Sequence, residues 1–397
     1  MLAELPFLPA QADRAERERY LRAHAPVMYD RLTDGKKTFV RVDELCRRAA
    51  ERFPGLLPGA QQLAEEAPRL QKDKQGLEID QGLFLSSVLA DPAAGAHLCH
   101  AMLLPLPGSR ERLAEFQGKD RIDLGGASVH REGRAAVVTM QNPRFLNAED
   151  ESTLEPLETA IDVALADPKS EICVLRGGSV THTRYAGRRL FGAGINLTHL
   201  YQGKIRYLWY IIRDLGLVNK LYRGLARPDV APEVDCIEKL WVGAVEGFAI
   251  GGHCQILLTL DYVLATGDAY MTLPARKEGI IPGAANLRLG RFVGARTARQ
   301  AVLAERRIDC ASPDGRMICD EVVDDMDRAI SSTVERLTGS GVVSAAGNRR
   351  AFRIAEEPLD SFRRYMSVYA REQAFCHFSP ALIANLERNW NAASRRA

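Results

Sequence analysis

The chain has 397 residues, and its 53 Lys plus Arg nearly balance 51 Asp plus Glu, leaving a net charge of +2. So even a balance excludes nucleic acid or an anionic membrane surface as the main partner. With 46% apolar and 26% charged residues and no apolar run long enough to span a bilayer, the composition is that of a globular protein with core enough for two or three domains.

The opening stretch MLAELPFLPA has neither a basic start nor a long apolar run, so no secretory leader is expected. Residues 1–120 read as a helical domain. Asp13–His24, Val42–Phe53, Gln61–Leu70 and Leu83–Leu89 carry apolar residues three and four apart, and Pro58, Pro68, Pro92, Pro105 and Pro107 punctuate them. No clustered polar motif appears there, so this region is expected to pack on the main domain without carrying chemistry. Within it, His97 and His100 stand one helical turn apart with no carboxylate at metal-site spacing, and a satisfied helix surface is the simpler reading. No metal site is expected anywhere in the chain.

Residues 121–335 alternate strand and helix patterns. Ala135–Met140, Ile172–Arg176, Leu240–Val245 and Tyr262–Ala265 are short, buried-type strands. Ser152 and Glu155 have capping-box spacing ahead of a helix face formed by Leu154, Leu157, Ile161 and Ala164. Strands followed by helices imply an α/β domain with crossover connections. Residues 336–397 begin with a Gly-rich stretch and continue as helices. Arg349–Glu356 comes first; after Pro358, Leu359, Phe362, Tyr365, Met366 and Tyr369 make a stripe suited either to the core or to a neighbouring subunit. The eight cysteines are scattered without Cys-x-x-Cys pairs, several inside apolar runs, which fits reduced, buried thiols and a cytoplasmic protein.

Two loops concentrate the chemistry. In RRLFGAGINL (188–197), Gly192, Ala193 and Gly194 let a ligand approach the main chain. In VEGFAIGGHCQ (245–255), Gly251 and Gly252 stand where a strand turns into a helix, so amide N–H groups are left to hold a developing oxyanion. A glycine pair before a helix is, by itself, equally a structural turn. Followed by LPARKEGIIPG (273–283), the two loops in this order resemble the signatures of the crotonase (enoyl-CoA hydratase/isomerase) superfamily. Segments 183–187, 192–197, 273–294 and 312–323 further resemble the 3,5-dihydroxyphenylacetyl-CoA 1,2-dioxygenases, a family of glycopeptide-antibiotic pathways that makes the arylglyoxylate precursor of dihydroxyphenylglycine.

The resemblance implies an α/β, crotonase-like ββα spiral core (121–335), an N-terminal helical domain (1–120) and C-terminal oligomerisation helices (336–397), assembled as a homotrimer or homohexamer. It implies a dioxygenase that takes an arylacetyl-CoA and O2 as substrates and uses neither metal nor flavin. The oxyanion donors would be the N–H groups of Ile195 and Gly252. The two positions where water-adding relatives carry Glu hold Gln255 and Ala275, so hydration is not expected. Ile280 and Ile281, with Ala275, would wall an oxygen pocket. Glu149 (or Glu151) and Arg213 are expected at the substrate's ring. Arg144, His182, Arg184 and Arg189 are candidates for the CoA phosphates, with Ala193, Gly194, Asn196 and Leu197 along the thioester. The alternatives are an acyl-CoA hydrolase or isomerase of the same fold, and a catalytically silent acyl-CoA-binding scaffold.

Overall fold

The computed structural model of the protein describes residues 12–395. The opening stretch read above as lacking a leader, residues 1–10, lies outside them. The first helix, Arg14–Leu32, starts at Asp13, whose side chain accepts from the Glu16 N–H while Glu16 accepts from the Asp13 N–H. It runs eight residues past the expected end because Ala25, Met28, Tyr29 and Leu32 extend the buried face begun by Leu21. Val42–Arg52 follows as expected, whereas Gln61–Leu70 shrinks to Ala60–Glu66, stopped ahead of Pro68. Ile79–Ala90 is longer than the expected Leu83–Leu89 and is buried almost all round. Two helices were not delimited by the sequence reading, Pro92–Leu103, of which only His97 and His100 were placed on a helix, and Ser109–Lys119. The first begins with Pro92 at its opening position under an Asp91 cap, so that proline starts a helix here rather than separating two.

In chain order the strands are β1 (Arg121–Asp123), β2 (Ala127–Glu132), β3 (Ala135–Met140), β4 (Ile172–Gly177), β5 (Leu225–Ala226), β6 (Cys236–Ile237), β7 (Leu240–Val245), β8 (Phe248–Ile250), β9 (Tyr262–Thr266), β10 (Tyr270–Thr272), β11 (Ile308–Asp309) and β12 (Glu321–Val323). The main sheet has the order β1-β2-β3-β4-β7-β9-β12, antiparallel through β3 and parallel from there on. A second sheet, β11-β10-β8, sets β8 parallel to β10 and so carries the glycine turn that follows β8. Both faces of the main sheet are covered. Along β4, Cys173 and Leu175 join one apolar cluster while Ile172 and Val174 join another, under Met326 and Ile330 of helix Met326–Leu337.

The crossover helix after β3 spans Glu151–Ala166, and its cap is Asp150 rather than Ser152. The Asp150 carboxylate already holds the Ser152 N–H and hydroxyl, and the box is completed by Thr153. The chain closes with Val342–Glu356, Leu359–His377 and Pro380–Trp390. The stripe at 359–369 is core: Leu359, Phe362, Met366 and Tyr369 are buried inside this chain, so it is not the surface that would join subunits. Helix Leu359–His377 packs so closely on Ile79–Ala90 that a Cβ at Gly82 would lie 2.5 Å from that of Ala374. One apolar cluster consequently runs from Leu21 to Ala392.

The two helical histidines are partnered inside the protein, His97 Nδ1 with the Tyr29 hydroxyl (2.8 Å) and His100 Nε2 with the Arg227 carbonyl (2.7 Å). Seven of the eight cysteines are buried, and none is in a disulfide. Among the described residues no helix is long and apolar enough to cross a membrane.

Candidate active site

Hydrogen bonds on both sides fix the loop ahead of Ile195. Gly192 N–H donates to the Phe248 carbonyl (3.1 Å), and the Gly192 carbonyl accepts from Ile250 N–H (3.0 Å). Glu149 N–H donates to Gly194 (2.7 Å), and Asn196 N–H donates to Glu149 (2.8 Å). The Gly194 N–H donates to His253 Nδ1 at 2.9 Å. Burial lowers the His253 pKa to about 4, so the ring is neutral and its proton sits on Nε2. A side chain at Gly192 would collide with that imidazole, its Cβ only 2.3 Å from Nε2. Gly251 turns at φ 56° with its own N–H on the Thr272 carbonyl (2.8 Å). Among the described residues, the N–H groups of Ile195 and Gly252 have no hydrogen-bond partner in the protein. These are the two donors expected from the sequence, and both line a buried cavity.

Behind Gly252 lies a charged network. Arg213 Nε and Nη2 donate to the two carboxylate oxygens of Glu149 (2.7 and 2.8 Å), and its Nη1 donates to Gln255 Oε1 (2.6 Å). Gln255 Nε2 donates onward to Asp214 Oδ1 at 2.5 Å. Burial alone would raise the Glu149 carboxyl, but the Arg213 charge holds it below its ordinary value. Asp214 is pushed up by burial, only partly offset by Arg213 and Gln255. Arg213 opens a π-helical turn, Arg213–Val218, continuing helix Tyr207–Ile212. Arg213 and Asp214 both line the cavity, each one turn beyond Trp209 and Tyr210 on the same helix face.

The cavity is also lined by the turn Ala275–Glu278 and the loop after it, with Ile280 and Ile281, and by Trp209, Tyr210 and Tyr369. Ala275 and Glu278 face inward; Arg276 and Lys277 face out. Glu278 was absent from the sequence reading. Its carboxyl is buried, and among the described residues it has no hydrogen-bond or ion-pair partner; burial raises its pKa to about 7. Asp214, His253 and Tyr369 were likewise missed. The available signal for Glu278 was its spacing, one helical turn from Ala275 on the same face.

An outer groove meets this cavity at Ile195 and Glu278, which line both. Arg144, His182, Ala193, Asn196 and Leu197 line the groove, joined by Lys277 and Arg395, which the sequence did not suggest. The Asn196 side chain is buried and turned away, donating to Asp150 (2.9 Å) and capping the next helix. Gly194 lines neither the groove nor the cavity; its backbone ties the loop to Glu149 and His253. Arg184 and Arg189 do not line the groove: Arg184 lies over the Tyr185 ring, and Arg189 pairs its backbone with Ser179 on an exposed edge. Glu149 is in the cavity, whereas Glu151 ion-pairs with Arg206 outside it. Among the described residues no group of three or more His, Cys, Asp or Glu is arranged to hold a metal ion.

Residues 130–340 match the model of the enoyl-CoA hydratase/isomerase family. The chain is 48% identical over 376 residues to the (3,5-dihydroxyphenyl)acetyl-CoA 1,2-dioxygenase of Amycolatopsis orientalis, covering 94% of this chain and 86% of that protein. It is 27% identical over 188 residues to a short-chain-enoyl-CoA hydratase of Clostridium acetobutylicum, 47% of this chain and 64% of that one. In three dimensions it is similar to the crystal structure of an enoyl-CoA hydratase from Mycobacterium avium subsp. paratuberculosis, with a TM-score of 0.55 and 21% identity over 66% of this chain and 98% of that one. The family match leaves out residues 1–129 and 341–397, which hold the first and last helices together with β1 and the start of β2. By family model, sequence and fold, the chain belongs to the enoyl-CoA hydratase/isomerase, or crotonase, family.

Proposed function

We propose that the protein is a dioxygenase converting 3,5-dihydroxyphenylacetyl-CoA and O2 to 3,5-dihydroxyphenylglyoxylate and free CoA. Likeness to the Amycolatopsis enzyme along nearly the whole chain carries the reading. The site geometry supports it: Ile195 and Gly252, whose N–H groups have no partner among the described residues, line a cavity in which Gln255 and Ala275 stand where the family's hydration carboxylates would be. In this reading the CoA lies in the outer groove near Arg144, His182 and Lys277. The thioester carbonyl rests on the Ile195 and Gly252 N–H groups, and the ring enters the inner cavity toward Glu149, Arg213 and Gln255.

The chemistry follows from the substrate. The Cα carbanion of an arylacetyl thioester is delocalised into both the ring and the carbonyl, and two preorganised donors stabilise the enolate oxygen by about 3–4 kcal/mol each. An enolate this electron-rich reduces O2 directly, so the reading requires neither metal nor flavin. Oxygen adds at Cα, and the peroxide attacks the thioester carbon. CoA thiolate is expelled, and loss of the second Cα proton with O–O cleavage gives the α-keto acid. Ile280 and Ile281 keep the oxygen side apolar. We further propose a homotrimer or homohexamer, the assembly common among crotonase cores.

Incubation of the protein with the arylacetyl-CoA in an oxygen electrode, with thiol release and product mass followed together, tests the reading. One O2 consumed per CoA released, unchanged after EDTA dialysis, is expected. CoA release without oxygen uptake would replace the dioxygenase with a hydrolase, and activity lost on chelation and restored by iron would refute cofactor independence.

A further inference from the structure

The dioxygenase reading needs a group that takes protons from Cα, and neither Gln255 nor Ala275 can do so. Glu278 occupies the place such a group requires. It lines both the outer groove and the inner cavity, and it shares that position with Ile195, one of the two oxyanion donors. A substrate whose carbonyl is held there has its Cα immediately inside the junction. Ala275 and Glu278 are three residues apart on one helical turn, both buried, while the intervening Arg276 and Lys277 are exposed. Side chains on a helical turn lean toward its N-terminus, so a long side chain at 278 reaches back over the space that Ala275 leaves empty. The carboxylate missing from 275 is thus regained one turn later on the same face.

We infer that Glu278 is the proton acceptor at the substrate's Cα, an assignment that rests on the dioxygenase reading above. The Cα–H bond breaks with its electron pair entering the enolate and its proton passing to a Glu278 carboxylate oxygen. After O2 has added and the peroxide has displaced CoA, the departing thiolate takes that proton and leaves as the thiol. Glu278, ionised again, takes the second Cα proton; the C–H pair becomes the ketone π bond, and the O–O pair leaves on the new carboxylate. The second proton goes to solvent, so substrate and O2 give arylglyoxylate, CoA thiol and one proton.

The surroundings suit a group that must both accept and release a proton near neutrality. Its carboxyl has no salt bridge to hold it ionised, unlike Glu149, which Arg213 grips twice. Lys277 and Arg276 on the same turn are engaged by Glu305 at 2.8 and 3.1 Å. Tyr210 approaches from helix Tyr207–Ile212, and its buried hydroxyl feels the Glu278 charge and the neighbouring Gln373 side chain. Arg213, Asp214 and Glu149 line the same cavity. Burial places the Glu278 pKa at about 7, where a general base works best.

The test compares wild type with Glu278→Gln and Glu278→Asp. Deuterium uptake at Cα is followed by mass spectrometry in anaerobic D2O, alongside aerobic O2 consumption and competition by free CoA. Glu278→Gln is expected to slow both exchange and O2 consumption about 100-fold or more while free CoA competes as before. Glu278→Asp is expected to recover part of both, and the wild-type rate is expected to rise with pH through about 7. Wild-type rates of exchange and O2 consumption in Glu278→Gln would overturn the assignment and leave the dioxygenase standing. Exchange that depends on Glu278 in a wild-type protein that consumes no O2 would do the reverse.

Discussion

At the scale of the residue, Glu278 makes a prediction that needs no substrate. Its carboxyl titrates at about 7 in the fold, against an ordinary value of 4.5. Between those pH values the native state binds more protons than the unfolded chain. The favourable state is therefore fully present below pH 4.5 and is lost as pH rises through 7, a change worth about 3 kcal/mol. Glu278→Gln should match wild type at pH 5 and have a higher urea midpoint at pH 8, the stability cost of a working residue being relieved. An equal difference at both pH values would show that 278 does not carry a raised carboxyl. Gln255 yields a second prediction. It links Arg213 to Asp214 by accepting from one and donating to the other, and a carboxylate at 255 cannot donate. Gln255→Glu either sets two charges about 4 Å apart, worth about 4 kcal/mol at an effective dielectric of 20, or takes up a proton. Oxygen consumption should fall at least about 100-fold at pH 8, some 2.7 kcal/mol in the barrier, and recover toward pH 6. Wild-type turnover at both pH values would place Gln255 outside the chemistry.

At the scale of the element, the packing of Ile79–Ala90 on Leu359–His377 determines how tightly the inner cavity is closed, because the second helix carries Tyr369. Gly82→Ala would thrust a methyl against Ala374 and within 3.0 Å of the Ala370 carbonyl. Such overpacking costs about 1–3 kcal/mol, so the urea midpoint should drop. An unchanged midpoint would mean that the interface yields without strain. The same contact explains what the sequence could and could not disclose. β3, β4, β7 and β9 were legible because strands covered on both faces are short, nearly continuous apolar runs. The oxyanion loops were legible because a close backbone approach demands glycine at 192, 194 and 251. Asp214 and Tyr369 were not legible. One is a single carboxylate within a long, buried, mostly apolar helical run, the other belongs to a helix whose stripe reads the same whether it meets its own core or another subunit. Ser152 misled because the helix already starts at Glu151, and the Asp150 carboxylate takes up both the Ser152 N–H and its hydroxyl.

At the scale of the whole molecule, light scattering at micromolar concentration should report three or six chains, and a monomer would refute the proposed assembly. Its contacts must come from surfaces other than the 359–369 stripe, which is used up within the chain. The depth of that burial also sets an order of events during synthesis. Glu149 and Tyr369 wall one cavity from positions 220 residues apart in the chain, and Gln71 ties itself to the His377 carbonyl across a separation of 306 residues. Once the ribosome has passed Val323, the sheet, the glycine loops and Glu278 exist, but Tyr369, the last part of the aromatic wall, does not. A chain released before Leu359 would carry both oxyanion donors and the base in a cavity open to water. Any enolate formed there would be quenched by a proton before it met oxygen. In this protein the step that commits the enolate to oxygen waits on the last tenth of the polypeptide.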